Sequence, residues 1–361
     1  MIMYEVSTIY ASDQQGMAQV EKLLAQEGLQ RDKNLDYSCG IFNDQGELIA
    51  TGSAFHNSLR CFAVSREHQG EGLLNTIVTH LLEVEQSRGY FSLYLCTKPQ
   101  SAAFFGTLGF YEIARVGEKL VFMENDAQGL TRYLQQLQQE TAAVFPDHKW
   151  PASAAAIVLN ANPLTKGHLH LIHTAAANTP LLHIFLVRED LSFFPYADRR
   201  QIVTAAIKDL PNVILHDTGS YLISSATFPG YFLKESSLIS RTHAALDCQL
   251  FARIAAALQI KHRYVGAEPF SEVTALYNTA LQQELPPLGI NLHVIPRKKQ
   301  DGVPISASQV RQLLQSPQPF QEDLWKKLTA LLPTASLNFL KTAAAQPILE
   351  KLVQAQEVVH H

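Results

Sequence analysis

Charge and cysteine are what this sequence has least of. Charged residues make up 17% of its 361 positions, against about 25% in ordinary soluble chains. Lysine plus arginine (29) nearly balances aspartate plus glutamate (33), leaving a net charge of −4. That balance excludes a basic nucleic-acid platform and a polybasic membrane anchor, which both need an excess of cations. A small charged ligand in a local pocket remains open. The four cysteines, Cys39, Cys61, Cys96 and Cys248, are scattered and form no CxxC pair. Neither a zinc site nor a disulfide framework is expected, and a reducing cytoplasm suits them. No apolar run approaches the roughly 18 residues of a membrane span, and the opening residues lack the basic-then-apolar layout of a secretory signal. The expectation is a cytoplasmic protein with neither membrane nor nucleic acid as partner.

Core material, by contrast, is ample: hydrophobic residues are 47% and aromatics 9%, so a disordered or fibrous chain is excluded and two or three domains are expected. Residues 1–124 read as mixed α/β, with strands near Cys39–Asn43, Glu47–Phe55, Leu59–Val64, Phe91–Cys96 and Lys119–Met123. A helix over Leu73–Ser87 ends at Arg88-Gly89, a basic last turn and a C-cap glycine. Residues 125–153 form a connector, with Asp126 capping a Gln-rich helix. From residue 154 to 319, apolar runs at Ala155–Leu159, Leu181–Val187, Val213–His216, Arg263–Gly266 and Ile290–Ile295 alternate with helical patterns. That alternation predicts a Rossmann-like parallel sheet with crossover helices. Residues 320–361 are a helical C-terminal segment interrupted at Pro333 and Pro347.

The chemistry concentrates after the strand that ends at Leu159. In Asn160-Ala-Asn-Pro-Leu-Thr-Lys-Gly-His168, a short polar loop opens a helix. A helix N-terminus offers unpaired N–H groups and the positive end of a dipole, which together suit a phosphate. Gly167 lets the backbone approach that phosphate, and Thr165 and His168 point toward the same anion. Asn160, Asn162 and Lys166 belong to the same loop. Ser306 followed by Gln309 reads as a capping box at a second helix start, and Arg311 can neutralise phosphate charge.

Thr165-Lys-Gly-His168 resembles the (H/T)xGH signature of the nucleotidyltransferase superfamily. Ile305-Ser-Ala-Ser-Gln-Val-Arg311 is similar to its ISxTxxR motif, with Ser308 in place of threonine. The resemblance implies attack on the α-phosphate of ATP, carried with Mg2+, with pyrophosphate leaving. His168 would donate to an α-phosphate oxygen, helped by Thr165, while Ser306 and Ser308 hold phosphate oxygens. Lys166, or Arg297 with Lys298 and Lys299, would cover the pyrophosphate, unless that basic run is simply solvated. Arg199, in Asp198-Arg-Arg200, either faces the nucleotide or merely starts a helix. Gly266 and Glu268 either read the adenine edge or form a turn. His170 and His173 read as a solvated helix face, and no protein-held metal is expected.

In the first domain, Gln69-Gly-Glu-Gly-Leu-Leu74 resembles the pyrophosphate loop of GNAT acyltransferases, whose backbone N–H groups cradle coenzyme A. Ala103-Phe-Phe-Gly-Thr-Leu-Gly-Phe110 is similar to a second segment of that family. Gln69, Gly70 and Gly72 are the contacts this implies. Two departures stand out. Leu74 replaces a small residue, and Phe105 stands where many of these enzymes carry a tyrosine general acid, a proton phenylalanine cannot supply.

A GNAT-like domain followed by a TxGH domain resembles the citrate lyase ligases. Leu191-Ser-Phe-Phe-Pro-Tyr-Ala-Asp-Arg199, Tyr221-Leu-Ile-Ser-Ser-Ala-Thr-Phe-Pro-Gly-Tyr-Phe-Leu-Lys234 and Val265-Gly-Ala-Glu-Pro-Phe-Ser271 carry that resemblance along the chain. It implies an acid–thiol ligase that adenylates acetate and acetylates the dephospho-CoA-type thiol of the lyase's acyl carrier subunit. Lys234 is a candidate cation for the acetate, or part of a packed loop. A plain adenylyltransferase acting on pantetheine phosphate or nicotinamide mononucleotide would share the same ATP site.

Overall fold

The computed structural model describes residues 4–145, 150–188, 192–222, 228, 233, 236–268, 272–315 and 322–355. The chain forms two compact units, one of Met1–Arg132 with Thr227–Gln249, the other of Tyr133–Ala226 with Leu250–His361.

The first unit is mixed α/β: β1 (Val6–Thr8), α1 (Gln14–Gln26), β2 (Tyr37–Phe42), β3 (Leu48–Phe55), β4 (Ser58–Val64), α2 (Leu73–Ser87), β5 (Tyr94–Thr97), α3 (Pro99–Thr107), β6 (Tyr111–Val116) and β7 (Leu120–Glu124). Its sheet runs β1-β2-β3-β4-β5-β7-β6. Every pairing is antiparallel except β4 with β5, because α2 carries the chain across between those two strands. Leu73, Ile77, Val78 and Leu81 of α2 are all buried in the core, a spacing that places them on one helix face. The turn at Asn43–Gly46 forms as its residues require: Asn43 Oδ1 accepts from the N–H groups of Gln45 and Glu47, and Gly46 takes φ 75°.

The chain continues through α4 (Gly129–Val144), β8 (Ala154–Leu159), α5 (Lys166–Ala177), β9 (Leu182–Leu186), α6 (Tyr196–Ile207), β10 (Val213–Asp217), α7 (Ser236–Leu258), β11 (Ile260–Gly266), α8 (Glu272–Glu284) and β12 (Asn291–Ile295). The second unit's sheet runs β10-β9-β8-β11-β12, parallel throughout. The order reverses at β8, and ligands of such sheets bind beyond the carboxyl ends of the strands at that reversal. There follow a hairpin of β13 (Lys299–Gln300) and β14 (Val303–Pro304), then α9 (Ala307–Leu314), α10 (Glu322–Leu331), α11 (Thr334–Leu340) and α12 (Gln346–Gln354).

The last three helices are part of the second unit's core: Leu328, Leu332, Leu340 and Leu352 are buried together with Ile157, Ile172 and Ile184. Pro333 caps α11, and Pro347 lies in the first turn of α12 rather than breaking a helix, since proline has no N–H to lose there. Among the described residues no helix is long and apolar enough to cross a membrane.

Candidate active site

The loop from Asn160 to Thr165 leaves β8 at its carboxyl end and delivers α5. Thr165 is the N-cap: its hydroxyl accepts from the His168 N–H at 3.3 Å, and its own N–H donates to His168 Nδ1 at 3.0 Å. This reciprocal pair satisfies two backbone donors that a helix start leaves over. It also decides the imidazole's chemistry. Nδ1 is an acceptor, so the neutral ring carries its proton on Nε2. Burial pushes the His168 pKa down to about 4, and the charges of Arg297 and Arg311 push in the same direction. At neutral pH the ring is therefore an uncharged donor.

The second motif converges on the first. Ile305 donates its N–H to the Lys298 carbonyl at 2.9 Å, and Ser306 caps α9 by accepting from the Gln309 N–H at 3.1 Å. The Ser306 and Ser308 hydroxyls are 3.0 Å apart. A Cβ on Gly167 would lie 3.1 Å from the Ile305 carbonyl oxygen and 3.3 Å from Thr165 Oγ1. Glycine thus permits the close approach of one motif to the other. Arg311, 1% exposed, donates through Nη1 to the Asn162 carbonyl at 2.6 Å. Burial lowers its pKa to about 10, so it stays protonated and ties α9 to the first loop.

Four candidate side chains have partners within the chain. Arg199 is fully buried and donates to the carbonyls of Phe194 (2.9 Å), Asn160 (2.9 Å) and Val187 (2.7 Å) and to Asn160 Oδ1 (2.8 Å). It braces the loop instead of meeting phosphate. Asn160 also exchanges bonds with Ser192 Oγ, and Asn162 Oδ1 accepts from the Phe194 N–H at 3.1 Å, so both side chains hold the 192–194 segment against the loop. Lys166 donates to the Thr329 carbonyl near the end of α10 at 2.6 Å.

Arg297 bridges to the Ala267 carbonyl (2.7 Å) and to the Glu268 carboxylate. It therefore pins the turn after β11, while its charge still reaches His168. The Gly266 carbonyl accepts from Asn278 at 3.1 Å. Lys298 is exposed, as are His170 and His173 on the outer face of α5. Among the described residues no group of three or more His, Cys, Asp or Glu gathers to hold a metal. The donors around His168 are amides, hydroxyls and guanidinium groups, a set that fits an anion. Lys234 and most of Tyr221–Lys234 lie outside the described residues, as do Leu191 and residues 269–271.

In the first unit, Gly70 and Gly72 take φ 91° and 80°, and a Cβ at either would meet nothing within 4 Å. Gly72 caps α2, and the exposed Gln69 donates to the Val64 carbonyl at 3.3 Å. The result is an open glycine turn on a fifteen-residue helix. Phe105 is buried and packs against Phe62, Phe104 and Phe110, so this position belongs to the core.

One contributor carries no signal in the sequence. Ser336 on α11, fully buried, donates to the Leu164 carbonyl at 2.7 Å, and only the folded chain brings it beside the loop.

Residues 154–340 match the family model described as the citrate lyase ligase C-terminal domain. The citrate (pro-3S)-lyase ligase of Klebsiella pneumoniae is 38% identical over 330 residues, covering 90% of this chain and 92% of that protein. The enzyme of the same name from Escherichia coli strain K12 is 37% identical over 336 residues, covering 91% and 92%. Among solved structures, the ribosomal-protein-S18-alanine N-acetyltransferase from Escherichia coli aligns over 34% of this chain and 92% of its own, with 15% identity and a TM-score of 0.28. An acyl-CoA N-acyltransferase from Pseudomonas aeruginosa aligns over 34% and 99%, with 14% identity and a TM-score of 0.29.

Proposed function

The chain belongs to the citrate lyase ligase family, and from that premise we propose that it activates citrate lyase as an ATP-dependent acid–thiol ligase in the cytoplasm. In the first step an acetate oxygen attacks the α-phosphorus of ATP, the bond from that phosphorus to the β-phosphate bridge breaks, and pyrophosphate leaves with acetyl-AMP formed. In the second, the thiol on the dephospho-CoA-type arm of the lyase's acyl carrier subunit attacks the acetyl carbonyl. AMP departs with the bonding pair, the thiol proton is released, and a thioester remains.

One observation carries this reading: two helix-initiating turns meet at Gly167 and Ile305, with the neutral His168 in reach of the charges of Arg297 and Arg311. Adenylation asks little covalent chemistry of a protein; positioning and stabilisation of developing charge suffice. The Nε2–H of His168 would donate to an α-phosphate oxygen, a bond that strengthens as charge builds there. The hydroxyls of Ser306 and Ser308 and the first N–H groups of α5 and α9 would hold the remaining oxygens. Mg2+ arriving on the triphosphate would offset its charge. The open turn at Gly70 and Gly72 would steer the acceptor's nucleotide-like arm.

ATP–pyrophosphate exchange tests the reading. Exchange that requires acetate, with an acyl group trapped by hydroxylamine, supports the ligase. Exchange indifferent to acetate but dependent on a phosphate-bearing acceptor supports a plain adenylyltransferase.

A further inference from the structure

The carbonyls of the loop before His168 are held in an alternating pattern. Asn160 O accepts from Arg199 at 2.9 Å, Asn162 O from Arg311 at 2.6 Å and Leu164 O from Ser336 at 2.7 Å. The three donors come from α6, α9 and α11, and each is at most 1% exposed. Two are arginines that the site already includes. The third comes from the C-terminal helical segment, outside the alternating β/α framework.

We propose that Ser336 is a positioning residue for the candidate active site: through the Leu164 carbonyl it orients the peptide that presents the Thr165 N–H to His168. The Leu164 carbonyl and the Thr165 N–H are the two ends of one planar peptide group, so fixing the oxygen fixes the direction of the hydrogen. That hydrogen goes to His168 Nδ1 at 3.0 Å and keeps the ring's proton on Nε2. Without the hydroxyl, the carbonyl loses its buried donor and the peptide plane is free to tilt. The Thr165–His168 bond then loosens, and the ring samples the tautomer that has no donor on Nε2. Lys166, one residue on, is held to the same helical segment through Thr329, so the segment grips both sides of the N-cap. The inference rests on His168 serving as the phosphate donor.

The test compares Ser336→Ala with Thr141→Ala in the full chain. Thr141 is also fully buried and gives its hydroxyl to a carbonyl, that of Leu137 at 2.8 Å in α4, so it reproduces the loss of a buried hydroxyl bond elsewhere in the chain. Ser336→Ala should lower kcat for pyrophosphate release by about tenfold or more, as small misplacements of reacting groups do, with KM for ATP changed less than about threefold. Thr141→Ala should leave both near wild type. Imidazole 15N shifts should show His168 as the Nε2–H tautomer in the wild type and as a mixture in Ser336→Ala, and Ser336→Thr should restore the single tautomer. Equal losses in the two alanine variants, or an unchanged tautomer in Ser336→Ala, would overturn the proposal. The nitrogen shifts need no substrate, so they decide it even if acetate proves not to be the acid; wild-type exchange indifferent to acetate would sink the ligase reading alone.

Discussion

Replacing Gly167 by alanine probes the meeting of the two motifs with one methyl group. The added Cβ would sit 3.1 Å from the Ile305 carbonyl oxygen, and contacts this short require the neighbour to yield by a few tenths of an ångström. That neighbour is backbone, one residue before the Ser306 cap, and cannot swing aside as a side-chain tip would. In free energy the change is modest. Alanine gains about 0.5–1 kcal/mol over glycine in a helix interior, and overpacking takes back about 1 kcal/mol or somewhat more. In geometry it is not neutral, because the two turns must separate. If about 1 Å of misplacement costs about a hundredfold, and the loss is exponential in displacement, a few tenths costs about fivefold in kcat. Gly167→Val should deepen the loss. Melting temperature and pyrophosphate release, measured on the same preparation, check this. Wild-type turnover in both variants would refute the argument, as would a collapse of stability that accounts for all of the lost activity.

Further expectations follow from single groups. His168→Ala should lower turnover by about 10²–10³, the usual cost of removing a transition-state donor, with a stability loss of about 1 kcal/mol from the missing cap bond; full turnover would take His168 out of the mechanism. Because its pKa in the folded chain is held near 4, the wild-type rate should show no acid limb from this ring between pH 7 and 5; a limb near pH 6.5 that His168→Asn removes would contradict the geometry. Glu85 in the first unit is fully buried beside Arg88, and burial raises its pKa to about 7. The folded state therefore binds this proton more tightly than the unfolded chain. Its contribution to stability is full below about pH 4.5 and is lost as pH rises through 7, by up to about 3 kcal/mol. Glu85→Gln should melt higher than wild type at pH 8 and not at pH 4.5; identical pH profiles would remove Glu85 as the cause. Arg199→Met removes a donor from the carbonyls of Phe194, Asn160 and Val187, while Asn160 Oδ1 keeps Ser192 Oγ; it should cost about 3 kcal/mol in urea unfolding, and wild-type stability would show that these carbonyls find other partners.

The sequence is most informative where local and tertiary demands agree. The apolar runs after residue 153 become the five parallel strands to within about three residues; β8 and β9 are buried along nearly their whole length, and strands buried on both faces need nearly continuous apolar residues. Helix α2 begins and ends where Leu73 and Ser87 indicate, since its stop signals are local. Strand β6 was missed, as an edge strand whose Tyr111, Glu112 and Arg115 are exposed or paired at the surface has no alternation to read. Strand β1, three residues long, is equally silent. Of the two caps in the candidate site, Ser306 was legible because a cap is a relation between neighbours, whereas the sequence marked Thr165 only as a contact for an anion. The braces were not legible. Nothing in the spacing of Arg199 or Ser336 tells which carbonyl each will meet, and a buried arginine reads the same as a phosphate-binding one until its donors are traced.

The central claim is that the two turns hold one ATP with His168 Nε2–H on the α-phosphate. A crystal structure with a non-hydrolysable ATP analogue tests it most directly. The account predicts an α-phosphate oxygen within hydrogen-bond distance of His168 Nε2, with the amides of both α5 and α9 on the same polyphosphate. A nucleotide held by only one of the turns, or an imidazole facing away from the α-phosphate, would contradict it.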